Sequence, residues 1–232
     1  MKNSLIVSLT YDGYLNGRDH VLHHYNWHKS FSDIKVLSRT DKEYNNDDIA
    51  IIKKDPKVMW GYGFIDFIEY ALTFKEYEYY ILLAGDAYII NSDFIELAIN
   101  EMNEKKVDVL FGIIEDRIEH SKYLFYEKTS ELFDIPINNI VWSACNLVIS
   151  RRESLEYYMS NEKHFEIWPE VGFINCMKSK FNVAETEYVH KPYFSQGNLG
   201  FKKYYLHRTN KTIYFVHAIK DYKILKELGF TL

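Results

Sequence analysis

Short apolar runs alternate along this chain with longer stretches in which apolar residues recur at helical spacing. Ser4 to Leu9 is a run of the kind a strand buried on both faces displays, and the turn residues Asp12 and Gly13 follow it. A helical stretch from Arg18 to Ser30 leads to a second strand, Ile34 to Leu37, ending at Ser38, Arg39, Thr40 and Asp41. Ile49 to Lys53 predicts a short third strand and Gly63 to Phe74 a helix. The fourth strand, Tyr80 to Ala84, stops abruptly at Gly85, Asp86 and Ala87. The chain then turns through Asn91 and Ser92 into a helix from Asp93 to Asn103, capped by Ser92 or Asp93, and a buried strand from Val107 to Ile114.

The second half is less regular. Val141 to Ala144 runs into a strand from Asn146 to Ser150 and a helix from Glu153 to Met159. Trp168, Pro169 and Glu170 open a helix through Lys178, with Pro169 in the first turn and Glu170 favourably placed by the helix dipole. Asn182 to His190 and Thr212 to Val216 read as short strands, and a Lys-rich helix from Asp221 to Leu228 closes the chain. Strands alternating with helices predict an α/β fold, a mostly parallel central sheet with crossover helices on both faces. With no linker-like composition and no internal repeat, the expectation is one domain over residues 1–232.

Composition narrows the classes. Hydrophobic residues at 47% suffice for a sizeable core, and a net charge of -5 with no basic tract argues against a nucleic-acid-binding surface. The 20 Tyr and 15 Phe suit either thick cores or sugar- and base-stacking pockets, and composition does not choose between them. Cys145 and Cys176 lack metal-ligand spacing and predict buried free thiols in a reducing compartment. The run after Met1 is too short for a signal segment or a bilayer span, so a soluble, cytoplasmic protein is expected.

Polar residues stand where apolar segments end: Asp12, then Arg39 and Asp41, then Asp86, and late in the chain His217. In an open α/β sheet the carboxyl ends of the strands diverge and leave the crevice where ligands bind. A doubly wound sheet brings the first three of these points to one edge, a crevice suited to a charged nucleotide and a divalent metal. Plainer readings stand beside these: turn chemistry for Asp12 next to Gly13, a turn or helix-preceding aspartate for Asp86. Glu170 is either favourable dipole placement alone or a general base held near an acceptor hydroxyl. His217 and Lys220 share one turn, as a metal ligand and a diphosphate partner or as a surface turn. A lysine at a helix N-terminus opposes the macrodipole and calls for an anionic partner. His20, His23, His24 and His28 read as an aromatic-like helix face, solvated or partly buried, rather than a ligand set. Gly61 and Gly63 lack phosphate-loop spacing, and the absence of G-x-x-x-x-G-K-[ST], G-x-S-x-G and H-E-x-x-H excludes the common nucleotide hydrolases, serine hydrolases and zinc proteases.

The stretch YYILLAGDAYIINSDFIELA resembles, over about twenty residues, the acidic-motif segment of GT-A fold glycosyltransferases. There an apolar strand ends in D-x-D, which binds a divalent cation and the diphosphate of a sugar nucleotide. Anchored on Ser92, Asp93 and Phe94, the frame puts Gly85 and Ala87 at the acidic positions and Asp86 between them. LLAGDAYII also looks like the L-S-G-x-D-Y-P-I signature of branching N-acetylglucosaminyl- and xylosyltransferases, where basic residues can replace the cation. WSACNLVISRRESLEYYM resembles the acceptor-side segment, WPEVGFINCM the segment bearing the catalytic base of inverting members, and IYFVHAIKD the C-terminal His and Lys region.

The resemblance implies a single Rossmann-like GT-A domain, with residues 1–115 as the nucleotide-sugar-binding half and 116–232 as the acceptor-binding half. It implies transfer of a sugar from a UDP- or dTDP-linked donor to a glycan acceptor, with Glu170 as general base and inversion at the anomeric carbon; a retaining course stays open, since the sequence does not fix which face of the sugar Glu170 sees. Tyr11 and Asp12 would meet the nucleobase or ribose, Arg39 and Asp41 the base edge. Asp86 and His217 would hold Mn2+ or Mg2+, and Lys220 would face the diphosphate. Trp142, Trp168 and Tyr193 are acceptor-stacking rings or core. The rival readings are a nucleotidyltransferase, for which TYDGYLNGRD is a poor basic loop, and a non-catalytic nucleotide-sugar-binding domain.

Overall fold

The computed structural model describes residues 3–11, 16–40, 43–52, 60–115, 123–161, 167–189, 205–209 and 212–231. Asp12, Asp41, Lys53, His190 and Tyr193 lie outside the described residues. The first half is β1 (Ser4–Tyr11), α1 (Arg18–Lys29), β2 (Ile34–Arg39), β3 (Ile49–Ile52), α2 (Trp60–Leu72), β4 (Tyr79–Ala84), β5 (Tyr88–Ile89), α3 (Asp93–Lys105) and β6 (Val109–Phe111). The second half adds α4 (Tyr123–Phe133), a 3-10 turn (Ile137–Asn139), β7 (Leu147–Arg151), α5 (Arg152–Met159), α6 (Pro169–Lys180), β8 (Val183–Glu185), β9 (Tyr205–Thr209), β10 (Thr212–His217) and α7 (Lys223–Glu227).

Seven of these strands form one sheet in the order β3-β2-β1-β4-β7-β6-β8. Every neighbouring pair is parallel except those made by β7, which runs against both β4 and β6. The protein is therefore an α/β fold with a mostly parallel central sheet, as the alternation of elements predicts. β1 explains why its run is apolar throughout: Leu5, Val7 and Leu9 pack into the core with α2, α5 and α6, while Ile6 faces the core shared with α1 and α3. Helices thus cover both faces. The remaining strands form a small second sheet, β5-β10-β9, antiparallel throughout.

Several predicted elements are shorter here than their apolar runs. Only Val109–Phe111 of the run Val107 to Ile114 forms the strand: the Val107 amide still donates to the Met102 carbonyl at the end of α3, and the Ile114 amide donates to the Glu185 carboxylate at 2.8 Å. Within the described part of Asn182 to His190 the strand is Val183–Glu185, since Thr186 turns to give its hydroxyl to the buried Glu101 carboxylate at 2.7 Å. The start of α3 is closed by neither expected cap: the Asn91 side-chain oxygen accepts from the Asp93 amide at 2.9 Å. No helix among the described residues is long and apolar enough to cross a membrane.

Gly85 is the tight point between β4 and β1. A Cβ built there would lie 2.6 Å from Thr10 Cγ2 and 2.9 Å from the Leu9 carbonyl oxygen, and two of its three nearest atoms are backbone that cannot swing away. Gly85→Ala is expected to destabilise the fold by about 1–3 kcal/mol, the usual range for overpacking. Urea midpoints of the two proteins check this, and an unchanged midpoint would remove the steric argument.

Candidate functional site

The carboxyl ends of β1, β2, β4 and β6 point to one edge of the sheet, and the segment entering the antiparallel β7 lies at the same edge. There the Ala84 amide donates to the Asn146 carbonyl at 3.0 Å and the Gly112 amide to the Leu147 carbonyl at 2.9 Å. Tyr11 and Arg39 stand side by side in register at the last pair of β1 and β2. The Arg39 guanidinium crosses the first turn of α2, where a Cβ on Gly63 would come within 3.0 Å of its Nη1. Gly63 therefore makes room for an arginine; Asp66 on the same helix feels its charge, although burial and Glu69 dominate and raise the Asp66 carboxyl above its ordinary value.

Asp86 follows Gly85 in the turn between β4 and β5. Its carboxylate, 14% exposed, is paired with the ammonium of Lys220. The sequence separation is 134 residues, and the second sheet closes it. β10 pairs with β5 through Val216 and Tyr88, and Ala218 then adopts a left-handed turn (φ 63°) that brings the Ile219 amide to the Asp86 carbonyl at 2.9 Å. Lys220 follows directly. The anionic partner that a lysine near a helix start requires is thus Asp86 itself. The Asn16 amide group donates to the Asp221 carboxylate at 2.9 Å, which ties the loop after β1 to the same segment. His217 ends β10, partly buried, its ring stacked on Phe215.

The two flanking positions of the acidic frame are closed to carboxylates. Gly85 has no space for a Cβ, and Ala87 is fully buried in the core. Of the two metal ligands expected from the sequence, Asp86 and His217, the Asp86 carboxylate already carries the Lys220 ammonium. Among the described residues no group of three or more His, Cys, Asp and Glu side chains could hold a metal ion.

Beneath Asp86 lies a buried layer of rings. His20, His24 and His28 are fully buried on one face of α1, around the fully buried Tyr88. The His20 ring nitrogen Nε2 reaches the Gly85 carbonyl at 2.8 Å, and His24 Nε2 reaches the Ser8 hydroxyl at 2.8 Å. His28 Nε2 accepts from the Ile89 amide at 3.2 Å, so its Nδ1 carries the proton and donates to the His24 carbonyl at 2.9 Å. His23 stacks on Tyr222, with ring centroids 4.4 Å apart. Burial lowers the pKa of all four, His23 to about 4 and His28 to about 3. The aromatic-like face expected from their spacing is present, and it is a core rather than a solvated surface.

Glu170 occupies the first turn of α6, after Trp168 and Pro169. Its carboxylate oxygen Oε2 accepts from two indole N–H groups, Trp168 at 2.8 Å and Trp142 at 3.1 Å. Its backbone carbonyl accepts from the Ser143 amide at 2.8 Å, which joins α6 to the segment entering β7. Trp142 is held in turn by a bridge to Glu115, with bonds of 2.8 and 2.9 Å. Cys145, buried and left-handed (φ 48°), closes the turn, a conformation that costs a side-chain-bearing residue about 1 kcal/mol or more. The sequence predicts Trp142 and Trp168 as stacking rings or core; their polar edges serve Glu170. Only Trp168, two residues away, could have signalled this.

No protein-family model matches the chain, and no curated protein does. Solved structures of similar backbone exist. A CMP:2-keto-3-deoxy-manno-octonic acid synthetase complexed with CTP is 13% identical and matches 79% of this chain and 89% of its own, at a TM-score of 0.47. The mannosyltransferase PcManGT from Pyrobaculum calidifontis, in complex with GDP-Man and Mn2+, is 10% identical over 81% of this chain and 55% of its own, at 0.46. A cytidylyltransferase from Leptospira borgpetersenii is 13% identical over 80% of this chain and 76% of its own, at 0.42. At such identities and scores the likeness concerns the backbone alone.

Proposed function

We propose that this protein is a glycosyltransferase that moves a sugar from a UDP- or dTDP-linked donor to a hydroxyl of a glycan, with inversion. The reading rests on one observation: the same sheet edge carries an ammonium seated on Asp86 and, apart from it, the carboxylate of Glu170. Breaking the anomeric bond leaves negative charge on the departing diphosphate and requires a proton acceptor for the incoming alcohol. Lys220 supplies charge for the first, with His217 beside it, and Glu170 supplies the second. In this reading the chain is one domain, residues 1–115 binding the donor and 116–232 the acceptor. Tyr11 and Arg39, with Asp12 and Asp41, bind base and ribose. When bound at Asp86 and His217, Mn2+ or Mg2+ adds positive charge at the diphosphate.

Incubation with UDP- and dTDP-sugars, and separately with nucleoside triphosphates and sugar 1-phosphates, tests the proposal. Release of nucleoside diphosphate from the sugar nucleotides, lost in Asp86→Ala, is expected. Pyrophosphate release from the triphosphates would identify a nucleotidyltransferase instead, and donor binding without any turnover a binding domain. Lys220→Ala is expected to raise the donor KM roughly ten- to a hundredfold, the value of a charged hydrogen bond. Initial rates against donor concentration, with and without EDTA, read this directly; an unchanged KM would detach Lys220 from the diphosphate.

A further inference from the structure

The arrangement around Glu170 goes further than a carboxylate at a helix start requires. An indole N–H is a donor only, and a carboxylate oxygen offers about two acceptor sites. Trp142 and Trp168 spend their N–H groups on the same atom, Oε2, at 3.1 and 2.8 Å. That oxygen is saturated, while Oε1 accepts no hydrogen bond among the described residues. Neither indole can take up a proton, so neither competes with the carboxylate as a base. Both rings come from well-anchored places. Trp142 sits in the bridge to Glu115 and packs on the cluster of Tyr126, Ile140, Ile167 and Val171, and Trp168 is the N-cap residue of α6. The bond from the Ser143 amide to the Glu170 carbonyl fixes the backbone as well. A glutamate with this anchoring has one oxygen immobilised and the other presented.

We infer that Trp142 and Trp168 are positioning residues, which hold Glu170 by Oε2 and aim Oε1 at the hydroxyl of an incoming alcohol. The inference rests on the glycosyl-transfer reading. In the step it serves, the alcohol proton passes to Oε1 and the alcohol oxygen bonds to the anomeric carbon. The bond from that carbon to the donor phosphate breaks, and its electron pair leaves on the diphosphate.

Two measurements test the positioning, one of them independent of turnover. The chain has four tryptophans, hence four indole N–H resonances in a proton–nitrogen correlation spectrum. Two of them are expected to titrate together with a single midpoint as pH falls, and neither to titrate in Glu170→Gln. In Trp168→Phe and Trp142→Phe, which keep an aromatic ring and delete the donor, one titrating resonance disappears and its companion remains. In turnover, each variant is expected to lower kcat about tenfold, leave the donor KM unchanged and move the acidic limb of the kcat profile to higher pH. Indole resonances that ignore both pH and Glu170→Gln would overturn the inference. So would tryptophan variants that lose thermal stability with the pH profile unmoved. If no donor is turned over, the resonances still decide whether the indoles hold Glu170, and the failure falls on the glycosyl-transfer reading.

Discussion

Glu170→Gln is expected to lower the rate of sugar transfer about a hundred- to ten-thousandfold, the contribution of a well-placed general base, while donor affinity stays within a factor of about two. The substitution is nearly isosteric, and the surroundings decide how the amide settles. Two indole donors converge on the position of Oε2, so the amide oxygen must occupy it. The NH2 group is then forced into the place of Oε1, where, on the proposed reading, the alcohol gives up its proton. A donor of hydrogen bonds stands where an acceptor is needed, and the variant should be worse than simple loss of charge suggests. Rates of nucleoside diphosphate release, with donor affinity measured by calorimetry, separate the two effects. A variant within threefold of wild-type turnover would remove Glu170 from the chemistry.

Acid is expected to unfold the protein well above the pH at which its carboxylates protonate. His24 and His28 are fully buried, and burial depresses both pKa values, His28 to about 3. The unfolded chain takes up protons below about pH 6.5 and the folded one does not, so stability is complete above that value and falls as pH drops towards the folded pKa. Each group costs about 1.4 kcal/mol per pH unit in this window, or roughly 4 kcal/mol for the two together at pH 5. That is a large share of the roughly 5–15 kcal/mol that holds a typical domain. His20 and His23, lowered by the same cause, act in the same direction. Protonating His28 would also turn Nε2 into a donor facing the Ile89 amide, a clash of like groups beside the strand that leads away from Asp86. Urea unfolding at intervals between pH 7.5 and 5 measures the slope; a flat profile would mean that these rings are hydrated in solution.

How much of this was legible in the sequence depends on the range over which each interaction acts. β1 and β4 could be read because a strand buried on both faces must be apolar throughout, a property of the strand alone. β7 could be read as a strand but not as an antiparallel one, since Leu147, Val148 and Ile149 are equally apolar in either direction. β5, two residues long, and α4 had no clear periodic signal. The same division holds at the site. Asp86 was visible because it interrupts an apolar run, and Lys220 because its position called for an anion. That the two answer each other depends on the pairing of β5 with β10, which no local pattern encodes. The clasp of Trp142 on Glu170 spans 28 residues and was equally hidden.

The reversed direction of β7 has a consequence for how such a protein can diversify. A parallel strand is entered by a crossover from the opposite end of the sheet, so changing its approach means rebuilding a helix. β7 is instead entered from the edge that carries Asp86, by the few residues from Trp142 to Asn146. Lengthening or reshaping that entry would alter what the base end of the crevice admits while the strands beneath Asp86 keep their register. On the proposed glycosyl-transfer reading, new acceptor preferences would then arise by loop exchange, with the strands beneath the donor left intact.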